Sequence, residues 1–177
     1  MCIRDRHERS FLDDPTRLLR LIRYAARLRF QIEEATRGWA FAAVEADAPA
    51  TVSASRLGAE LRLLLGEPMP GAICGLEAFG LGPQLLAGFA VDPDVVERAQ
   101  RLTPHDARAD LVALAACCLD ASAPALAERL DAFEFPARER DTTVAAATRA
   151  RALAPVLGGL ESPSAIWALL RLSLIHI

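Results

Sequence analysis

Two acids, Asp13 and Asp14, stand before a proline, and Arg17, Arg20, Arg23 and Arg27 then recur every third or fourth residue. Asp14 and Arg17 are three apart, so at a helix start their side chains can converge. A carboxylate only accepts hydrogen bonds and a guanidinium only donates them. Side by side, the pair offers an acceptor next to a donor. Cytosine and adenine present the matching order, an amino donor beside a ring-nitrogen acceptor. Guanine and uracil present the reverse, a carbonyl oxygen beside a ring N–H. Such a pair would welcome C and A and reject G and U, because a wrong base leaves polar groups unpaired. Arg20, one turn on, can reach a triphosphate, and the helix N-terminus adds favourable dipoles for an anion. Arg23 and Arg27 extend the stripe towards an RNA backbone. The plainer alternative is that Asp14 caps a helix, Asp13 complements its dipole and the arginines form a solvated face.

These residues need helices to hold them, and the sequence pattern predicts little else. Asp14 and Pro15 suit a helix start, and Leu18, Leu19, Ile22, Ala25 and Ala26 mark an apolar face running to about Arg29. A second helix is expected from Glu33 to Ala48, with Trp39, Phe41 and Val44 inward and Pro49 as its stop. Ser53 can cap a third, Ala54 to Leu65, with Leu57, Leu61 and Leu64 in register and Gly66 as terminator. Further helices are expected at Pro70 to Phe79, Asp92 to Leu102, Ala107 to Leu119, Pro124 to Phe133 and Pro136 to Leu157, with a last one opening at Ser162. Residues 81–91 read as a Gly-rich loop with one turn at Gln84 to Leu86. No stretch sustains the period-two alternation of a strand. The fold class is therefore all-α, a multi-helix array with a soft boundary between Phe79 and Asp92 that separates regions 7–80 and 81–171.

Composition agrees. Apolar residues make up 53% of the 177 residues and aromatics only 6%, which favours helices around a sizeable core. The net charge of −3 excludes a general polyanion binder, so any nucleic-acid contact must come from a local patch. Every basic residue other than His is Arg, which fits the codon bias of a GC-rich genome. Cys2, Cys74, Cys117 and Cys118 lack metal-ligand spacing and read as small helix residues in a reducing cytoplasm. No apolar run reaches the roughly 20 residues that span a bilayer, so no membrane partner is expected. The two ends, MCIRDR and LSLIHI, back-translate to reverse-complementary DNA that resembles a transposase adapter. Residues 1–6 and 172–177 are therefore expected to be adapter read-through, and the natural gene to extend past both ends.

HERSFLDDPTRLLRLIRYAARLRFQIEEAT, followed by TVSASRLGAELRLLL, resembles the bacterial class II tRNA nucleotidyltransferase and poly(A) polymerase family, which includes CCA-adding and A-adding enzymes. The resemblance is specific over about Ser10 to Leu65. It implies that Asp14 and Arg17 read the base edge of incoming CTP or ATP and that Asp13 helps hold Arg17. It also implies that Arg56 and Glu60, four apart on one helix face, form an ion pair bracing the nucleotide pocket. Later helices look like the family's RNA-binding body and tail, which makes tRNA or another RNA 3′ end the expected partner. Two positions depart from the family: Arg29 stands where many members have Gly, and Asp13 where many have Glu. The family's chemistry is done in an N-terminal head, where a Gly-Ser loop and paired aspartates hold Mg2+. No Gly-Ser loop followed by D-x-D occurs here, so no catalytic or metal residue is assigned and this chain alone is expected to be inactive.

Two other readings compete. One is a non-catalytic α-helical RNA- or protein-binding module, whose acids only cap a helix. The other is an HD-type metal phosphohydrolase built on His105-Asp106, which would need further ligands from Asp110 or His7. The run Ala137 to Asp141 is expected to be a solvated first turn with a pair such as Arg138 to Asp141.

Overall fold

A computed structural model describes Cys2–Ile3, residues 7–67 and 71–159, Ser162 and Ser164. The expected helix start at Pro70, most of the last helix and residues 172–177 lie outside the described residues. The order is β1 (Cys2–Ile3), α1 (Ser10–Asp13), α2 (Thr16–Leu28), β2 (Gln31–Ile32), α3 (Glu34–Glu45), a 3-10 turn at Ala48–Thr51, α4 (Ala54–Leu65), α5 (Gly71–Ala78) and α6 (Gly82–Leu85). Then follow α7 (Pro93–Leu102), α8 (Ala109–Cys117), α9 (Ala123–Ala132) and α10 (Ala137–Leu157), which contains Pro155. The two short strands pair in parallel, Cys2 with Gln31 and Ile3 with Ile32. Among the described residues these four are the only ones in strands, and the fold is all-α.

α2 is the organising helix of the first half. It buries Leu18, Leu19, Leu21 and Ile22 and packs on α4 and α5. The α2–α5 crossing is close: a Cβ at Gly75 would collide with the Ile22 side chain. α4 then carries the core onward, packing also against α8 and α9. A Cβ at Gly58 would lie 2.7 Å from the Phe133 Cα, so only glycine lets these two backbones approach. The buried residues form one cluster from Phe11 to Ala147. Leu81, Leu85, Leu86 and Phe89 belong to it, so the stretch read as a loop is packed core and includes α6.

Three local expectations are corrected. Phe41 does not point inward; it is 40% exposed, with its ring 5.0 Å from that of Phe79. α3 buries Thr36, Ala40, Ala43 and Val44, and residue 41 lies one step of about 100° off that face. Ser53 makes no side-chain cap; its carbonyl accepts from Arg56 and Leu57 while its hydroxyl meets Ser55 at 3.2 Å. At the α10 start Asp141 pairs with Arg140 and not with Arg138; Arg140 also reaches Asp131, and Glu139 pairs with Arg108. Glu33 does cap α3, accepting from the Thr36 N–H and hydroxyl.

α2 ends on Arg29, which adopts φ 52° in the left-handed region. Its N–H closes on Ala26 and that of Phe30 on Ala25. The position that is Gly in many members of the resembling family thus has a geometric demand here, and an L side chain meets it at a cost of roughly 1 kcal/mol.

Candidate functional site

Asp14 is not a simple N-cap. The residue before a proline is pushed out of the helical region, and Asp14 has φ −144° and ψ 89°. Pro15 therefore ends α1 at Asp13 and makes the chain restart as α2. Asp14 serves both helices: its N–H donates to the Ser10 carbonyl, and its own carbonyl accepts from Arg17. Its Oδ1 accepts from the Thr16 hydroxyl at 2.6 Å, the Thr16 N–H at 3.3 Å and Arg56 Nη2 at 3.2 Å.

Arg17 lies beside it, with Nε 3.9 Å from Asp14 Oδ2. The Arg17 side chain is 46% exposed and that of Asp14 25%, so the pair lies at the surface. Arg17 Nη1 donates to the Ser10 hydroxyl at 2.6 Å. Asp13 does not hold Arg17 as expected; it reaches Arg9 at 4.0 Å on the exposed side of α1. Arg56 and Glu60 do not pair with each other either. Each reaches out from α4, Arg56 to Asp14 between α1 and α2, and Glu60 to Arg20 on α2 at 2.6 Å.

The rest of the arginine stripe closes like a zipper. Arg23 lies between Glu60 at 3.8 Å and Glu67 at 3.9 Å, with its guanidinium 4.6 Å from the centroid of the Tyr24 ring. Arg27 grips both Glu67 oxygens, at 2.9 and 2.5 Å. Arg23, expected on an RNA-facing stripe, is instead 9% exposed. Arg17, Arg20 and Arg56 are the half-exposed cations gathered around Asp14. Ser10, Thr16 and Glu67 were missed at the level of sequence. For Glu67 a signal exists: Glu60 and Glu67 are seven apart, as are Arg20 and Arg27 opposite them.

The Thr16 hydroxyl, and after it the charges of Arg56 and Arg20, hold the Asp14 carboxyl below its ordinary 3.8 against a partial desolvation that raises it. A folded-state pKa below the unfolded one gives stability that is complete above the unfolded value and lost as pH falls through the folded one. Asp14 is thus expected to titrate with a midpoint below 3.8. A carboxyl-detected NMR titration checks this; a midpoint at or above 3.8 would contradict the hydrogen-bonding described.

The other candidates do not assemble. His105 and Asp106 lie in the turn before α8, and among the described residues no three His, Cys, Asp or Glu side chains are grouped to hold a metal. The D-x-D spacing of Asp92 and Asp94 does not fit Mg2+ either. Asp92 Oδ1 caps α7, accepting from the N–H groups of Asp94 and Val95. Cys117 and Cys118 are buried free thiols, and burial pushes Cys118 up to about 12. Among the described residues no helix is long and apolar enough to cross a membrane.

No protein-family profile matches the chain. Over 70 residues it is 44% identical to an A-adding tRNA nucleotidyltransferase of Halalkalibacterium halodurans, a match covering 38% of this chain and 16% of that protein. Its fold matches a CCA-adding enzyme solved with CTP at a TM-score of 0.72 and 27% identity, covering 88% of this chain and 40% of that one. It matches the Thermotoga maritima CCA-adding enzyme complexed with tRNA at 0.73 and 26% identity, over 89% and 41%. A CCA-adding enzyme solved with ATP gives 0.76 and 25% identity, over 95% and 42%. The chain spans well under half the length of these relatives. In sequence and fold it is class II tRNA nucleotidyltransferase-like.

Proposed function

We propose that this chain is the nucleotide-selecting and RNA-holding helical part of an enzyme that adds nucleotides from ATP, or from CTP and ATP, to the 3′ end of tRNA or another RNA. The observation that carries the reading is the Asp14–Arg17 couple, adjacent at 3.9 Å, open to solvent and ringed by guanidinium groups. Asp14 Oδ2 carries no hydrogen bond among the described residues, so it can accept an exocyclic amino group. Arg17 is free at Nη2 to donate to a ring nitrogen. Arg56, 57% exposed, and Arg20, 42% exposed, are placed to neutralise phosphate charge. The relatives solved with CTP, ATP and tRNA support the same substrate class.

Transfer itself would need Mg2+ held by carboxylates that activate the primer hydroxyl and shield the phosphates. The described residues offer no such group, so the proposed role is selection and binding. The test is a calorimetric titration of the chain with the four triphosphates. ATP and CTP are expected to bind at least about tenfold more tightly than GTP and UTP, the worth of one net hydrogen bond. Equal affinity for all four would sink the reading.

A further inference from the structure

We propose that two buried hydroxyls, those of Ser10 and Thr16, are positioning residues that fix Arg17 and Asp14 relative to one another. Their bearing on nucleotide choice rests on the function proposed above; their hold on the two side chains does not.

Ser10 is 0% exposed and Thr16 1% exposed, yet each directs its oxygen at one of the two surface groups. Ser10 Oγ accepts from Arg17 Nη1 at 2.6 Å, and Thr16 Oγ1 donates to Asp14 Oδ1 at 2.6 Å. An exposed arginine samples many rotamers, and a recognition pair that samples them discriminates poorly. A hydroxyl anchored in the core at each end removes that freedom. The break at Pro15 makes this possible by folding α1 back so that Ser10 reaches a residue seven positions on. Asp13, with its short arm, turns to Arg9 instead, so orienting Arg17 falls to Ser10.

Thr16 selects as well as holds. Its hydroxyl and N–H, with Arg56, occupy Oδ1 and leave Oδ2 towards Arg17. The acceptor presented outward is thereby the oxygen nearest the donor. These two short side chains would then set the spacing between the acceptor and donor a base edge must match.

The experiment uses the 177-residue chain and its Ser10→Ala, Thr16→Val and Thr16→Ser variants, with melting curves to show each is folded. Guanidinium NMR reads rotation about the Arg17 Cζ–Nε bond, with exposed Arg37 as internal reference. In the parent chain Arg17 is expected to rotate more slowly than Arg37; equal rates overturn the proposal even if no variant folds. Ser10→Ala is expected to speed Arg17 about tenfold, the factor one hydrogen bond's net free energy allows, and to leave Arg37 unchanged. An unchanged Arg17 rate overturns the proposal. Thr16→Val is expected to raise the Asp14 carboxyl midpoint while Thr16→Ser leaves it in place; equal behaviour of the two overturns the role of the hydroxyl. Titration with ATP, CTP, GTP and UTP separates this from the proposed function. If the parent chain shows no base preference, that function fails while Arg17 rotation still decides the positioning. If it shows one that Ser10→Ala and Thr16→Val both retain, the positioning has no part in selection and the proposal is overturned.

Discussion

Arg17→Ala is expected to weaken CTP and ATP binding about 10- to 100-fold and to leave GTP and UTP near their already weak values. The size follows from removing a charged donor, whose hydrogen bond contributes about 1.5–3 kcal/mol. The asymmetry follows from geometry. In the proposed pose Arg17 would meet a ring nitrogen in cytosine and adenine, but a ring N–H in guanine and uracil, where it would gain no hydrogen bond. Arg17→Lys separates charge from shape. It keeps a positive charge near the phosphates but replaces a rigid fork by a point donor that cannot span to Ser10 and the base together. The lysine variant is expected to recover part of the affinity and none of the preference. Were Arg17→Lys to discriminate like the parent, the guanidinium fork would not be what distinguishes the bases, and its proposed role would fail. Competition titrations with a fluorescent ATP analogue measure both quantities.

What could be read in advance here has a simple limit. The Asp14–Arg17 adjacency is a property of three-residue spacing at one helix start, and it is visible in the letters. So are α2 and α4, whose apolar residues recur at helical intervals between prolines and glycines. The partners across helices are not visible, because they are about 40 positions away: Arg20 with Glu60, Arg27 with Glu67, and Asp14 with Arg56. Within α4, spacing alone allowed Arg56 to meet Glu60, yet Arg56 pairs with Asp14, just before α2, and Glu60 with Arg20 on α2. Ser10 escaped notice for a different reason. A serine before an apolar run reads as ordinary, and only the break forced by Pro15 brings it over Arg17. The helix α1 was invisible because four residues carry no periodicity. Phe41 misled because aromatic residues are usually placed inward, whereas its neighbour Ala40 already holds the buried position.

The acids opposite α2 also determine how firmly the site is seated. Glu67→Ala is expected to destabilise the chain by about 3 kcal/mol, near the lower end for breaking a buried ion pair. Which arginine is responsible can be decided from exposure. The Glu67 side chain is 3% exposed and that of Arg23 10%, while that of Arg27 is 53% exposed. Pairing to a half-exposed cation contributes at most about 1 kcal/mol, because water screens it and can replace the partner. The larger cost is the Arg23 guanidinium, which would remain buried with Glu60 alone at 3.8 Å. Arg27→Ala should therefore cost much less than Glu67→Ala, which should lower the melting temperature by roughly 6–12 °C at about 2–4 °C per kcal/mol for a chain of this size. Replacing both buried partners, Arg23→Met with Glu67→Leu, should recover most of the loss, since no buried charge is then left without its counter-ion and the exposed Arg27 is solvated. A Glu67→Ala variant that melts within 2 °C of the parent would show that Arg23 is not held by this carboxylate. The same variant loosens the end of α4 from α2 about two turns below Glu60, so the Arg20 pair and then the Asp14–Arg56 contact are expected to weaken in that order. Nucleotide preference should thus decline with stability in Glu67→Ala and return in the apolar double variant, which ties the seating of α2 to the geometry of the pair at its start.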